Sequence, residues 1–242
     1  MTRFVFIIPF RNVAPYIKDC ANSLINQNYK NWIAYFIDDQ SNDGTVNNIP
    51  SDPRFKIKVN KERLTALPNI HYGIMDLNLD DDDVICLLDG DDFLVRPDSI
   101  DIINKLYEDG ALLTYGQYVS SAGNMGHCMP YTAESFKGVR DSRQYWASHI
   151  RTFKFKLYKE ILNQDPDLTC YKDNKGEWYK MTYDVAIMVP LLEIAGFEKV
   201  KFNPIPVYYY RIHQQNDYSV NAHLQYAIAD EIYGKKKFTQ VF

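Results

Sequence analysis

Asp89, Asp91 and Asp92 crowd three carboxylates into four residues, Asp89-Gly90-Asp91-Asp92, directly after the apolar run Val84-Ile85-Cys86-Leu87-Leu88. Like charges this close repel one another unless a cation sits among them. Hard oxygen donors suit Mg²⁺ or Mn²⁺, and such ions usually bring a diphosphate with them. The end of an apolar strand is also where open α/β sheets bind ligands. The pattern therefore points to a metal–nucleotide site. Position carries this reading, because a bare Asp-x-Asp occurs in many turns. The neighbouring run Asp80–Asp83 precedes the same strand, where a solvated acidic turn is expected. A further pair, Asp38-Asp39, closes the apolar run Trp32–Ile37. In a doubly wound sheet both clusters open on one edge and can serve one ligand.

The elements needed to hold these groups are legible as alternating strand and helix patterns over roughly the first 110 residues. Phe4–Ile8 reads as a strand, followed by Pro9-Phe10-Arg11-Asn12. Pro15 then opens a helix with Ile17, Cys20, Ala21, Leu24 and Ile25 at helical spacing. Trp32–Ile37, Phe55–Val59 and Val84–Leu88 read as strands. Thr65–Leu77 reads as a helix, and Pro97-Asp98-Ser99 opens another that Gly110 stops. This rhythm predicts an α/β fold, an open, mostly parallel central sheet with helices on both faces. Ala111–Val119 is a further expected strand. From Ser120 to Arg143 the pattern is lost, and a loop of that length suggests a lid or a substrate-facing segment. Helices are expected at Phe153–Leu162, Tyr183–Ala195 and Val220–Phe238, with strands at Phe197–Pro204 and Pro206–Ile212.

Composition excludes several classes. The chain has 242 residues, 46% of them hydrophobic, which suits one substantial core and a single domain. A net charge of −4 offers no footprint for nucleic acid. No apolar run approaches the ~20 residues of a spanning helix, and the N-terminus has no signal-peptide pattern. Cys20, Cys86, Cys128 and Cys170 are scattered without C-x-x-C spacing, as in a reduced, cytoplasmic protein. Neither a Gly-x-Gly-x-x-Gly nor a P-loop pattern is present. A bound nucleotide must then be held through metal, base and ribose contacts.

Four blocks, FIIPFRN, FIDDQSNDGT, LPNIHYGI and LLDGDDFLVRP, resemble in order and spacing the signature blocks of family 2 glycosyltransferases with the GT-A fold. That resemblance implies an inverting, metal-dependent hexosyltransferase-type enzyme with a Mn²⁺ or Mg²⁺ cofactor. It would move a sugar from a nucleotide-diphosphate donor, a UDP-sugar, to a hydroxyl on a glycan, protein or other acceptor. Residues 1–110 would form the nucleotide-sugar half, and residues 111–242 the acceptor half with its C-terminal helix. Pro9, Phe10, Arg11 and Asn12 would line the nucleotide, and Asp39 would bind the uracil edge, with Asp38 structural. Asp91 would ligate the metal, with Asp89 at the ribose or a bound water and Gly90 between them. Asn69 belongs to the third block, as a donor contact or a helix polar group. Pro68 stands where a basic residue is common, so Arg63 is the substitute phosphate contact.

In the C-terminal half, TYDVAIMVPLLEIAG looks like the block whose aspartate is the catalytic base, which makes Asp184 the base, with Glu193 as a competitor and an ordinary first-turn carboxylate as the alternative. Tyr208-Tyr209-Tyr210-Arg211-Ile212-His213 resembles the segment whose histidine completes the metal shell, so His213 joins Asp91 and Asp89 as a ligand. Trp146, His149, Arg151 and Lys154 form a basic-aromatic patch suited to phosphate or acceptor recognition, or else a solvated helix start. Asp92 and Arg211 are further acceptor or phosphate candidates. The rival functions are a non-catalytic nucleotide-sugar-binding module and a sugar-phosphate nucleotidyltransferase.

Overall fold

Every residue of Phe4–Phe10 is buried, and the run divides by alternation. Phe4, Phe6, Ile8 and Phe10 pack into one apolar cluster, while Val5 and Ile7 pack into another on the opposite face. A strand covered on both sides needs apolar residues at successive positions, and this strand is the centre of the molecule. The computed structural model describes residues 1–213 and 217–242. Among these, the strands are β1 (Phe4–Phe10), β2 (Trp32–Asp38), β3 (Phe55–Val59), β4 (Val84–Leu87), β5 (Phe93–Leu94), β6 (Leu113–Ser120), β7 (Arg151–Lys154) and β8 (Val200–Tyr210). The helices are α1 (Ile17–Ile25), α2 (Ala66–Met75), α3 (Ser99–Glu108), α4 (Ala133–Lys137), α5 (Phe155–Gln164), α6 (Tyr183–Ala195) and α7 (Asp217–Tyr233). No helix among the described residues is long and apolar enough to cross a membrane.

The strands join one sheet in the order β3-β2-β1-β4-β7-β6-β8-β5. The β1–β2, β1–β4, β2–β3 and β6–β8 pairs are parallel, as the alternating pattern requires. β7 runs antiparallel to both β4 and β6, and β5 antiparallel to β8. Helix α1 buries Ile17, Cys20, Ala21 and Leu24, the face expected from spacing. Helix α2 lies flush on the strands because Gly73 has no side chain. A Cβ there would stand 2.4 Å from Ile37 Cδ1.

Several expectations need correction. Arg151–Lys154 was expected next to or within a helix start, yet it is a buried strand between β4 and β6. The charged ends hid it, since only Thr152 and Phe153 look like strand interior. The two strands expected around Pro204 and Pro206 are one, β8, whose register against β6 shifts between Gly116 and Tyr118. The prolines fall in that irregularity, where their missing N–H groups cost no ladder bond. The C-terminal helix ends at Tyr233 and not Phe238, and Asn221 breaks its helical geometry.

The Ser120–Arg143 segment is not a free lid throughout. Cys128, Tyr131, Phe136, Val139 and Arg140 are buried, and α4 carries a capping box between Thr132 and Ser135. The segment's longest exposed stretch is the tip ahead of the buried Cys128, residues 121–125 together with 127. The Asp80–Asp83 turn is not simply solvated. Asp83 is buried in an ion pair with Arg3, and Asp82 pairs with Lys154 and Lys156.

Candidate active site

The acidic turn follows β4, and its shape is set from outside. Gly90 sits where any Cβ would lie 2.5 Å from Phe10 Cβ, so the turn folds tightly over the end of β1. Asp92 is buried. The Tyr208 hydroxyl donates to its Oδ2 at 2.6 Å, and the Arg211 backbone N–H donates to its Oδ1 at 2.7 Å. Arg211 Nε donates to the Asp91 carbonyl at 2.8 Å and Nη2 meets Asp19 at 3.1 Å. The end of β8 therefore clamps the turn through its backbone and through Asp92. The other two carboxylates remain for chemistry. Asp91 Oδ2 lies 2.7 Å from His213 Nε2, and the His213 ring lies 5.2 Å from that of Tyr16. Asp89 Oδ1 accepts from the Tyr183 hydroxyl at 2.6 Å.

Antiparallel β7 supplies the opposite wall. Arg151 pairs with Leu87, so the first residue of β7 arrives at the last residue of β4, beside the acidic turn. Its Nη2 donates to Asp184 Oδ2 at 3.2 Å, and its Nη1 lies 3.4 Å from the Tyr183 hydroxyl. Asp184 occupies the first turn of α6, where the helix dipole favours a carboxylate. Its side chain is 24% exposed, against 4% for Arg151, so a buried guanidinium faces a half-open carboxylate. His149 is stacked between Tyr208 and Tyr210, with ring centroids at 4.5 and 5.3 Å.

Electrostatics across the site follow from burial and crowding. Burial first, and the charge of Asp91 second, push Asp89 up to about 6. The same two causes hold Asp92 well above the ordinary carboxylate range. Burial, with the Arg151 charge second, holds His149 well below the usual histidine value. A divalent cation would relieve the acid crowding.

Two donor sets could take such an ion. Single donor atoms of Asp89, Asp92 and His149 lie within 4.8 Å of one another. That inner trio fits poorly, because Asp92 already accepts two hydrogen bonds and Arg151 Nη2 stands 3.4 Å from His149 Nε2. A guanidinium at that distance opposes a dication. The rim pair Asp91–His213 offers a hard oxygen and an imidazole that already converge at 2.7 Å, while Asp89 is not within ligating reach of both among the described residues. The pair by itself suits the ion as a partial set of donors.

The remaining expected residues divide into those near this edge and those that are not. Pro9 and Phe10 are buried within β1 and pair with Ile37 and Asp38, so they underlie the site without lining it. Arg11 is exposed. Asn12, at φ +53°, is laced to the second loop through Ser41 Oγ and the Asn42 N–H, each at 2.9 Å. Asp38 is buried and accepts from the Ser41 N–H. Asp39 accepts from the N–H groups of Leu64 and Thr65 at 2.7 and 2.9 Å, which orders the chain before α2. Its neighbour Asn60 bridges to Asn69 Oδ1 at 2.7 Å, while Asn69 Nδ2 is buried without a protein partner. Arg63 is 60% exposed, 4.0 Å from Asp39. Trp146 packs against Tyr131, with ring centroids 5.1 Å apart.

Lys154 does not share a patch with Arg151. In a strand the two lie at opposite ends, and Lys154 pairs with Asp82 at the far edge of the sheet. Glu193 is not a base. It is buried against Arg140, with Nε–Oε1 at 2.7 Å and Nη2–Oε2 at 2.9 Å. Sequence reasoning missed Tyr183 and Tyr208, the hydroxyls that fix Asp89 and Asp92. Their one signal is adjacency, to Asp184 in one block and to Arg211 and His213 in the other.

The model of the glycosyl transferase family 2 matches residues 5–165 of this chain. No curated protein matches the sequence. Among solved structures, S. aureus TarS 1-349 superposes with a TM-score of 0.67 at 14% identity, covering 87% of this chain and 60% of that one. Its complex with UDP-GlcNAc gives 0.64 at 12%, covering 90% and 61%. The mannosyltransferase PcManGT from Pyrobaculum calidifontis, in complex with GDP-Man and Mn²⁺, gives 0.56 at 14%, covering 88% and 58%. The chain thus spans about 60% of the length of these similar structures. At such identities the likeness is one of fold.

Proposed function

This chain belongs to glycosyl transferase family 2, and on that premise we propose that it transfers a sugar, with inversion, from a UDP-sugar to an acceptor hydroxyl. The observation that carries the reading is the meeting of two groups from distant parts of the chain. The acidic turn after β4 and Asp184 at the start of α6 are joined through Tyr183 and Arg151. A binding module or a nucleotidyltransferase gives no reason for Asp184 to stand there.

Asp91 and His213 would hold a Mn²⁺ or Mg²⁺ ion, with Asp89 a further candidate. Such an ion would supply positive charge to the diphosphate leaving group. Arg11, Asn12, Asp39 and Asn69 surround the nucleotide, with Arg63 free to turn toward phosphate. Asp184 takes the acceptor proton through the oxygen not engaged by Arg151, as the acceptor oxygen attacks the anomeric carbon from the face opposite the diphosphate. The exposed tip ahead of Cys128 closes over the acceptor and keeps out water. No covalent sugar intermediate is required. Burial raises the thiols of Cys20 and Cys86 well above their usual value, which accords with packing and not with nucleophilic roles. Residues 1–110 serve the donor and 111–242 the acceptor, within one domain whose sheet is continuous across both. Four free, buried cysteines accord with a cytoplasmic setting.

The test is a panel of nucleotide sugars assayed for Mn²⁺-dependent donor hydrolysis and transfer, with the product anomer read by NMR. Cleavage of one UDP-sugar and an inverted linkage are expected. Absence of UDP from the β4 rim in crystals soaked with both Mn²⁺ and UDP would overturn the proposal.

A further inference from the structure

Arg151 is an unusual resident for the middle of a sheet. Its side chain is 4% exposed, and burying a guanidinium costs several kcal/mol unless it is well paired. Besides a 3.4 Å approach of Nη2 to His149 Nε2, its pairing is directed at two residues of α6. Nη2 meets Asp184 Oδ2 at 3.2 Å, and Nη1 meets the Tyr183 hydroxyl at 3.4 Å, whose own proton goes to Asp89. Among the described residues, Nε and the nearby Tyr145 hydroxyl find no partner of good hydrogen-bond geometry, and the Arg151 and Tyr145 side chains interact with each other. A purely structural arginine would be expected to have these polar atoms satisfied, as Arg140 is by Glu193 and three carbonyls at the end of α7.

Asp184 has a specific need for such a partner. A base must present one oxygen to the acceptor in a fixed direction, and Asp184 stands near a second carboxylate, Asp89, on the side where a donor diphosphate would lie. Besides Arg151, the groups that Asp184 faces electrostatically are Asp89, Tyr183, His127, Tyr145 and Tyr233. Of these partners, Arg151 alone carries a fixed positive charge.

We propose that Arg151 is the positioning residue of Asp184: its planar fork holds Asp184 Oδ2 and the Tyr183 hydroxyl together and leaves Oδ1 to the acceptor hydroxyl. This rests on the glycosyl-transfer reading for its purpose, but the pairing is testable without turnover. Tyr183 adds a link to the donor side, since the same hydroxyl anchors Asp89. Lysine cannot reproduce that double contact, because an ammonium lacks the planar fork.

The experiment follows the Asp184 carboxyl by ¹³C NMR titration, its signal assigned by loss in Asp184→Asn, in parallel with steady-state kinetics. Arg151→Met should raise the midpoint by about one pH unit or more. Arg151→Lys should titrate near wild type, yet lose at least about tenfold in kcat with donor KM unchanged, since charge is kept while orientation is lost. A midpoint unmoved by Arg151→Met overturns the proposal, as does a Lys variant with full kcat or one whose whole loss lies in donor KM. If Arg151→Met does not fold, the Lys variant decides alone. A wild-type protein that transfers no sugar refutes the functional reading instead, and the titration still judges the pair.

Discussion

Asp91 and Asp92 are adjacent and chemically identical, and their surroundings give them different work. Asp92 spends both oxygens on Tyr208 and the Arg211 backbone, whereas Asp91 presents an oxygen to His213 at the rim. Asp91→Asn should therefore abolish metal-dependent activity and leave the urea midpoint near wild type. Asp92→Asn should instead lose about 1–3 kcal/mol of stability, because an amide NH₂ is forced against one of two donors. Calorimetric titration with Mn²⁺ distinguishes the rim pair from the inner trio. His213→Ala should weaken the ion by at least about tenfold, and His149→Phe, which keeps the stack between Tyr208 and Tyr210, should not. Asp184→Asn should eliminate transfer while UDP affinity holds. A collapse of UDP affinity would place Asp184 at the donor.

At the scale of elements, the short strand β7 and the long strand β8 do most of the arranging. β7 enters antiparallel and delivers Arg151 to the end of β4, and β8 ends in the tyrosines and arginine that clamp the turn. Helix α6 is tied to the end of α7 by Arg140, which bridges Glu193 to carbonyls of Ile232, Tyr233 and Lys235. Arg140→Met leaves Glu193 buried without its partner, and about 3–5 kcal/mol of stability should be lost in urea unfolding. Gly90→Ala offers a contrasting outcome. Its Cβ would press on Phe10 at 2.5 Å, so the acidic turn must lift and Mn²⁺ affinity should fall, by calorimetry, more than stability does.

For the molecule as a whole, ligand and proton act on the same fold from opposite ends. UDP should raise Tm only when Mn²⁺ is present, by the equivalent of about 2.7 kcal/mol at a hundred times Kd. Acid should act elsewhere. The Lys58 ammonium, with Tyr35 assisting, holds Asp76 below the ordinary carboxylate range. Such a group contributes stability above its unfolded value near about 3.9, and that contribution is lost as pH falls through the lower folded value. The urea midpoint should drop there, and less steeply in Asp76→Asn. Both acidic clusters, their strand ends and the parallel β1–β4 core were legible in the chain itself, because periods of about 2 and 3.6 residues report local geometry directly. Asp184 and His213 were singled out only by resemblance to family blocks, beyond residues 5–165 that the family model matches. Illegible were β7, whose charged ends masked a strand, and the fates of individual side chains, such as Pro9 and Phe10 sinking into the core. Local pattern determined which carboxylates exist and which sheet edge they reach. Tertiary structure decided which oxygens remain available, since Asp89 depends on Tyr183 and Asp92 on Tyr208. Those partners lie far along the chain and become neighbours only once the sheet has closed around them.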